Sequence, residues 1–401
     1  MLNIGPIQLD VPFVQAALSG YSDLPMRLLA RRYGAPYALN EVMLDRLVLE
    51  PGKRRKAILD VHVDDHPVGG QLMGADPEVF APAAAAMAEA GYDVIDINFG
   101  CPVKKVLGRC RGGFLLSQPA DALDIIRRVH DAVGKTHPVT VKMRRGMDDS
   151  PQSERDFFTI LDGAFEIGVA AVTVHGRTVK QRYVGPSRWE FLARVKRHVG
   201  DAIILGSGDL FSAEACVRMI NETGVDGVTI ARGAIGNPWI FEECRALWSG
   251  QPLPPPPTIE RQRRAIAMHF EEIVGVYGES LGTRIMRKFG IKYAEHHPLA
   301  RPTAEPDSST AEPTSPAGKP ASPVRDAFLA VKTVADLHAV LDEWYDPSRS
   351  WPPVPRRTGH GDLVAAGASA YRWFTTGGAC HIQAPKPPTV ERKHLDFSRK
   401  V

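Results

Sequence analysis

The sequence predicts an α/β fold, a (β/α)8 TIM barrel followed by a small all-α helical domain. Short β-rich runs recur at intervals of roughly thirty residues, and helix-like stretches separate them, as in repeated βα units. Most of these runs are continuously apolar, as expected for a parallel sheet that helices cover. Eight of them fall within the first ~250 residues, the size of one such barrel. The predicted strands span residues 13–18, 37–41, 67–73, 94–98, 139–143, 171–176, 203–208 and 227–231.

The predicted helices between these strands have recognisable starts. Asp76 is suited to cap a helix that has Pro77 at its first position, and this helix is expected to end near Gly91. Gln118 and Ser212 precede two further predicted helices. The alternation of strands and helices therefore continues through the whole of residues 1–250.

Beyond the eighth strand, a stiff proline-rich spacer at residues 251–257 predicts a domain boundary between the barrel, residues 1–250, and a helical domain, residues 258–345. Within the helical domain, Thr333 and Asp336 have the spacing of a capping box. An insertion at residues 299–323 contains six prolines and many Ser, Thr and Ala residues, which predicts flexibility. The basic, Pro- and Gly-rich tail at residues 346–401 is expected to be poorly ordered.

The composition indicates a soluble intracellular protein. The 401 residues carry a net charge of +3, with an excess of basic residues in 251–300 and in 351–401. Five cysteines without a C-x-x-C pair indicate neither a disulfide framework nor a zinc ribbon. The first residues lack a basic signal-like region, and no apolar run approaches the ~18 residues of a membrane span. We expect a cytoplasmic, monomeric protein with no metal site and no membrane association.

Polar residues stand at the carboxyl ends of six predicted strands, where TIM barrels carry their reactive groups. Each has a common structural explanation when taken alone, because a lysine in a strand usually reaches solvent and a Gly-rich strand end is usually a turn. Their coincidence at matching positions indicates a site. The residues are Gln71, Asn98, Lys142, His175, Ser207-Gly208-Asp209 and Ala231-Arg232-Gly233.

The loops after the seventh and eighth strands are suited to a phosphate group. Glycine lets backbone N–H groups approach the phosphate closely, and Arg232 supplies positive charge. The sequence has neither a G-x-G-x-x-G motif opening a βαβ unit nor a G-K-[ST] loop, which excludes the Rossmann and Walker modes. We expect a phosphorylated ligand, with Lys142 stabilising negative charge on a reduced ring and Gln71 pairing with an imide edge.

Two cysteines are candidates for the chemistry. Cys101 lies between Gly100 and Pro102 in a turn that could present its thiol to the site. Four cations follow within ten residues, and they would favour a thiolate or attract an anionic substrate. Cys110, in the Gly-rich stretch GRCRGG, is the competing candidate.

Six stretches of the barrel resemble the tRNA-dihydrouridine synthase family in its bacterial, FMN-dependent form. They read GYSDLPMRLLARRYGA, DINFGCPVKKV, VTVKMRRG, HGRTVKQRYVGPSRW, GSGDL and GVTIARGAIGNPWIF, and MRKFGIKYAEHHP extends the similarity into the helical domain. GCP and HGRT in this order and spacing are specific, whereas GSGDL alone would be weak. The sequence departs from the family at residues 16–18, which read AAL where the family has A-P-M, and at Ser207, where it has Asn.

The resemblance implies that the barrel binds FMN, that NADPH is the electron donor and that the C5=C6 bond of a uridine in tRNA is reduced. It also implies that Cys101 is the general acid that protonates C5 after hydride arrives at C6. The FMN-binding residues would be Ala17, Leu18, Ser19, Gln71, Lys142, His175, Ser207, Gly208, Asp209, Ala231, Arg232 and Gly233. Substrate-binding residues would be Asn98, Arg144 and Arg177 in the barrel and Arg284, Arg287 and Lys288 in the helical domain.

Two other functions remain open. An FMN-dependent barrel reductase of a free pyrimidine, like dihydroorotate or dihydropyrimidine dehydrogenase, would share the lysine, the phosphate loops and a similar Cys-Pro loop. A tRNA-binding relative that has lost the reduction is the second, and the presence of Cys101, Lys142 and His175 argues against it. The basic stretch of the helical domain favours the tRNA substrate over a free base.

Overall fold

Parallel strands close into a barrel in the computed structural model, which describes residues 1–300 and 322–354. The strands are β1 (Leu2–Ile4), β2 (Ile7–Leu9), β3 (Phe13–Gln15), β4 (Ala38–Leu39), β5 (Met43–Leu44), β6 (Val68–Met73), β7 (Val94–Phe99), β8 (Val139–Arg144), β9 (Ala171–His175), β10 (Ile204–Ser207) and β11 (Gly227–Ile230). Around the barrel the order is β4, β3, β11, β10, β9, β8, β7 and β6, and pairing of β4 with β6 completes the ring. The predicted fold class is confirmed.

Helices alternate with the strands as the sequence predicts. Asp76 caps its helix by accepting a hydrogen bond from Glu78 N at 3.2 Å, and Ser212 accepts one from Ala215 N at 3.3 Å. The helices are α1 (Leu24–Arg32), α2 (Asp45–Leu49), α3 (Lys53–Ile58), α4 (Pro77–Glu89), α5 (Lys104–Leu107), α6 (Pro119–Val133), α7 (Pro151–Ile167), α8 (Trp189–Val199), α9 (Ala213–Thr223), α10 (Trp239–Trp248), α11 (Ile259–Ala294), α12 (Pro323–Ala330) and α13 (Val334–Trp344). Short 3₁₀ turns lie at Val63–Asp65, Gly112–Ser117 and Arg232–Ala234.

The second barrel strand is shorter than the predicted run 37–41. The ladder continues to Asn40, whose N–H donates to the Gly69 carbonyl, and then stops because Glu41 N donates to the side-chain oxygen of Asn40 at 2.7 Å. An asparagine side chain thus replaces the neighbouring strand as the hydrogen-bond partner. The chain re-enters the sheet as β5, which pairs with β6 through Met43 and Leu72.

A small hairpin closes the amino-terminal end of the barrel. Its strands β1 and β2 pair antiparallel, and the buried side chains of Leu2, Ile4 and Leu9 pack with inward-facing barrel residues such as Val14 and Leu205. The carboxyl ends of the strands are therefore the open end of the barrel, where the predicted site residues lie.

The helical domain begins with α11, which is interrupted at Gly278, where φ is 72° and ψ is 165°. The predicted capping box between Thr333 and Asp336 is present at the start of α13. One hydrophobic core runs from the barrel helices into α11, α12 and α13, with Trp239 contacting Tyr33 and Tyr293 at ring distances of 6.0 and 6.4 Å. The helical domain is therefore packed firmly against the barrel.

Most of the predicted insertion, residues 301–321, and most of the predicted tail, residues 355–401, lie outside the described residues. The division into domains therefore stays a prediction. Within residues 1–300 and 322–354, no helix combines the length and the apolar character that crossing a bilayer requires.

Candidate active site

The polar strand ends lie side by side at the open end of the barrel. In register along neighbouring strands, Asn98 pairs with Lys142, and His175 pairs with both Arg144 and Ser207. Residues in register on adjacent parallel strands are neighbours in the sheet, and here they lie at the carboxyl ends of the strands, where TIM barrels carry their sites. The structure therefore brings these predicted residues together into one site.

Cys101 is held in a tight turn directly after β7. The side-chain oxygen of Asn98 accepts hydrogen bonds from Gly100 N at 2.9 Å and from Cys101 N at 3.1 Å, and the Cys101 carbonyl accepts one from Gly113 N at 3.1 Å. Burial raises the pKa of the Cys101 thiol, and a backbone hydrogen bond from Val103 and the Arg144 charge oppose this only partly. Cys101 is therefore a protonated thiol at neutral pH.

The cations that follow Cys101 in the sequence do not form a cluster that stabilises its thiolate, although their spacing would allow one. Lys104, Lys105 and Arg109 are exposed on and after the short helix α5, and the cation that lowers the pKa of the thiol is Arg144 from β8. Cys110 is also exposed, at a turn where its φ is 54°. The partly buried Cys101 and the exposed Cys110 thus have different surroundings.

Lys142 and His175 are both half-buried and desolvated at the mouth. Desolvation lowers the pKa of Lys142 to about 8, and the Asp96 carboxylate opposes this shift. Desolvation, together with the positive charges of Arg144 and Lys142, lowers the pKa of His175 well below its usual range. At neutral pH the site therefore presents one cationic amine and one neutral imidazole.

The loops after β10 and β11 leave room for backbone groups only. A Cβ at Gly208, whose φ is 117°, would lie 2.4 Å from Ser187 Oγ, and a Cβ at Gly233 would lie 2.0 Å from the Leu210 carbonyl oxygen. The guanidinium of Arg232 lies over the rings of Tyr183 and Phe211, 4.7 and 5.1 Å from their centroids. Gly208 is half-buried and Gly233 is buried, so these glycines allow tight loop packing beside a guanidinium that is suited to a phosphate.

Two arginines predicted to contact substrate hold the site loops in this structure. Arg177 is fully buried, donates to Asp209 Oδ2 at 2.7 Å and donates twice to the Gly185 carbonyl. Arg144 donates to the carbonyls of Gly100 at 2.9 Å and Thr178 at 2.9 Å, which ties the Cys101 turn to the loop after β9. Substrate contact by either residue stays a prediction.

The loop after β3 contains the predicted flavin contacts Ala17, Leu18 and Ser19. Ala17 and Leu18 are half-buried, and Ser19 is exposed. Ser22 closes this loop, since its hydroxyl accepts a hydrogen bond from Leu18 N at 2.8 Å. The loop is therefore a fixed wall of the mouth.

Lys288 connects the helical domain to this loop. Its amine donates to the Gly20 carbonyl and lies 5.1 Å from the ring centroids of both Tyr21 and Phe289. Desolvation lowers the pKa of Lys288, while Asp23, an acid with its pKa raised by burial to about 6, opposes the shift. Lys288 is thus a contact between the domains in this structure, and its predicted contact with RNA stays a prediction.

A basic groove on the helical domain contains the other two predicted cations. Arg284 is exposed and Arg287 is half-buried, and Lys332 joins them at the start of α13. Glu279 also lines the groove, but its carboxylate accepts a hydrogen bond from Val334 N at 3.1 Å. The groove therefore offers a cluster of cations to an anionic partner.

Three buried residues of the site were missed in the sequence. Asp96 and Thr140 lie on β7 and β8 below the predicted strand ends, and Ser187 donates its backbone N–H to Asp209 at 2.8 Å. An acid inside an apolar strand is a signal that could have identified Asp96. Ser187 could not have been identified from the sequence, because it contacts Asp209 only after its loop has folded, and the two residues are far apart in the sequence. In the described part of the chain, no three His, Cys, Asp or Glu side chains are grouped as metal ligands.

The chain matches a family model described as "Dihydrouridine synthase (Dus)" over residues 14–319. It is 36% identical over 306 residues to a probable tRNA-dihydrouridine synthase of Mycobacterium tuberculosis, an alignment that covers 74% of this chain and 78% of the relative. It is 36% identical over 302 residues to tRNA-dihydrouridine synthase B of Pseudomonas aeruginosa, covering 75% of this chain and 89% of the relative.

Among solved structures, the chain resembles histamine dehydrogenase from Rhizobium sp. 4-9. The TM-score is 0.50 at 16% identity, and the match covers 67% of this chain and 50% of that chain. At this identity the likeness concerns the barrel fold alone.

Proposed function

The chain belongs to the dihydrouridine synthase family, and from this we propose that its barrel mouth binds FMN, accepts electrons from NADPH and uses Cys101 to protonate the uracil ring. The activity is the synthesis of dihydrouridine in tRNA. The observation that carries the proposed mechanism is the position of Cys101 at the end of β7, in a turn whose backbone Asn98 holds and where burial raises the pKa of the thiol.

The residues at the mouth fit a phosphorylated flavin. Gln71 uses one N–H and one oxygen lone pair within the protein, so one donor and one acceptor remain for the imide edge of the ring. Lys142 supplies a positive charge to the same ring, and Arg232 with the Gly208 and Gly233 backbones would hold the phosphate. His175, as a neutral imidazole, can donate or accept a hydrogen bond without adding charge.

When bound, FMN would supply the hydride for C6 of the uracil ring. Cys101 completes the reduction by donating its thiol proton to C5, where negative charge develops. A thiolate could not perform this step, and the raised pKa of Cys101 keeps the proton in place at neutral pH. The hydrogen bond that fixes Cys101 N to Asn98 restricts the direction in which the thiol can point.

The proposal is tested with the purified full-length chain, unmodified tRNA and NADPH. Dihydrouridine is measured by mass spectrometry of the digested tRNA, and flavin is identified by its visible absorbance and by extraction. Parallel reactions contain NADH in place of NADPH, or free uracil and orotate in place of tRNA. Reduction of a free pyrimidine at a rate comparable to that of tRNA would contradict the proposed substrate, and absence of bound flavin would contradict the cofactor.

The pH dependence of turnover should report the charge of Lys142. Because its pKa is about 8, the amine is protonated below that pH and loses its charge above it. Between about pH 7 and about pH 9.5 the protonated fraction of Lys142 falls roughly thirtyfold, and the turnover at saturating tRNA is expected to fall by a similar factor. The Lys142→Arg variant keeps its charge throughout, so its own rate should remain flat. An equal decline in the variant would show that another group titrates.

The basic groove of the helical domain should contribute to tRNA affinity. In the Arg284→Ala/Arg287→Ala variant, the Kd for tRNA is expected to rise about tenfold at low salt, and the slope of log K against log salt to shrink by about one per lost phosphate contact. Arg264→Ala is the matched control, since Arg264 is an exposed cation on the first part of α11 that pairs with Glu260. Equal effects of the two changes would place the RNA elsewhere.

A further inference from the structure

We propose that Asp96 is a positioning residue for Cys101, because its carboxylate sets the direction of a hydrogen-bonded relay that runs through Gln71 and Asn98 to the Cys101 backbone. This inference rests on the proposed role of Cys101. It concerns contacts within the chain itself, so it can be tested separately from the reaction.

Asp96 is one of the most enclosed charged residues of the barrel. It is 2% exposed, lies on β7, and pairs in register with Gln71 on β6 and with Thr140 on β8. Oδ2 accepts a hydrogen bond from Gln71 Nε2 at 2.6 Å, and Oδ1 accepts one from Thr140 Oγ1 at 2.5 Å. Both oxygens of a buried carboxylate therefore have partners, as burial of a charge requires.

An ionised carboxylate can only accept hydrogen bonds, and this property determines the orientation of the next two amides. Gln71 must turn its Nε2 toward Asp96, which leaves its Oε1 facing away. Oε1 accepts a hydrogen bond from Asn98 Nδ2 at 2.6 Å. Asn98 is therefore also oriented, with its Oδ1 directed to the turn that follows β7.

The relay ends on the backbone of the reactive turn. Asn98 Oδ1 accepts the N–H groups of both Gly100 and Cys101. If Asn98 were reversed, its Nδ2 would face these two N–H groups, so three donors would meet without an acceptor. The turn that presents the thiol is thus stable in this form only while the side-chain amides of Gln71 and Asn98 keep their present orientation.

The negative charge of Asp96 also favours this arrangement, because Lys142 attracts it. Burial raises the pKa of Asp96, while the hydrogen bonds from Thr140 and Gln71 and the charge of Lys142 oppose this shift and favour the ionised form. A carboxylate at position 96 allows only one direction of hydrogen bonding along the relay. A carboxamide there would remove this constraint, because it can present either an oxygen or an N–H to Gln71.

The test uses Asp96→Asn in the full-length chain and measures the rate at which iodoacetamide labels Cys101. A lysine-specific protease cleaves after Lys104 and Lys105, so Cys101 and Cys110 fall on different peptides, and Cys110 serves as the internal reference. Release of the turn should expose the thiol and raise its labelling at least about threefold relative to Cys110. In turnover, kcat should fall roughly tenfold while KM for tRNA stays within about twofold.

Thr140→Val is the matched control. It removes one hydrogen bond from Asp96 but keeps the carboxylate and hence the direction of the relay. Labelling of Cys101 in this variant should stay within about twofold of the wild type. If Thr140→Val and Asp96→Asn have equal effects, loss of a buried hydrogen bond explains them, and the proposal fails.

A double variant tests the direction itself. In Gln71→Glu/Asp96→Asn the acceptor-only carboxylate moves to position 71, where it can accept from the new carboxamide and from Asn98 Nδ2. Labelling of Cys101 should return to within about twofold of the wild type, even if the change at position 71 weakens flavin binding. If Asp96→Asn proves unfolded by near-UV circular dichroism, a folded double variant with a protected Cys101 supports the proposal. A double variant that is as damaged as the single one overturns it, as does an Asp96→Asn protein that labels and turns over like the wild type.

Discussion

Cys101→Ala is expected to lower the rate of dihydrouridine formation by about 10²- to 10⁴-fold, the usual contribution of a positioned general acid. The change removes the thiol whose proton is needed at C5. The backbone contacts that hold the turn, from Asn98 and Gly113, do not involve the thiol and should survive. Flavin content and tRNA affinity should therefore remain near those of the wild type.

Cys110→Ala is the control for this prediction. Cys110 is exposed, whereas Cys101 is partly buried next to the strand ends, so the control should keep most of the activity. The measurement is a single-turnover assay that follows dihydrouridine in tRNA after the bound flavin has been reduced. Full activity in Cys101→Ala together with loss of activity in Cys110→Ala would reverse the assignment of the two thiols.

Asp209→Ala is expected to lower the free energy of unfolding by about 3–5 kcal/mol, the usual result of leaving one partner of a buried ion pair without the other. The side chains of Arg177 and Asp209 are both 0% exposed and their charged atoms lie 2.7 Å apart. The same carboxylate oxygen also accepts the backbone N–H of Ser187 at 2.8 Å. The loss should therefore loosen the loops on which the phosphate site is built.

The measurement is urea unfolding, with an exposed ion pair as control. Arg194 and Glu154 are about half exposed, so Glu154→Ala should cost at most about 1 kcal/mol. Replacing both charges by apolar residues, as in Arg177→Met/Asp209→Leu, should recover part of the stability lost in Asp209→Ala, because the fully buried Arg177 is no longer left without its partner; the more exposed Arg232, 3.5 Å from Asp209, still loses its ion pair. A loss below about 1 kcal/mol in Asp209→Ala would mean that water reaches Arg177.

The barrel could be predicted from the sequence because each strand is decided locally, by a short apolar run with a turn at its end. The predicted run 94–98 differs from β7 by one residue. The second strand was predicted too long, since nothing in the apolar pattern reveals that the side chain of Asn40 takes the hydrogen bond of Glu41. A side chain that competes with the ladder is invisible to a pattern of apolar and polar residues.

The candidate site could be predicted where function depends on position along a strand, as for Lys142 and His175. The site could not be predicted where the role of a residue depends on its contacts with segments that are distant in the sequence. Lys288 belongs to a basic helical stretch in the sequence, but after the interruption at Gly278 its amine contacts the Gly20 carbonyl of the barrel. Asp96 was part of a recognised stretch, yet its contacts on β6 and β8 come from strands distant in sequence.

The hairpin formed by β1 and β2 covers the end of the barrel at the amino termini of the strands. Leu2, Ile4 and Leu9 fill the end opposite the reactive thiol. The site opens on the face at the carboxyl ends of the strands, and the helical domain lies beside this face through the contact of Lys288 with the Gly20 carbonyl. Under the proposed function, the electron donor and the RNA base would both reach the flavin from this face, so the two would bind one after the other.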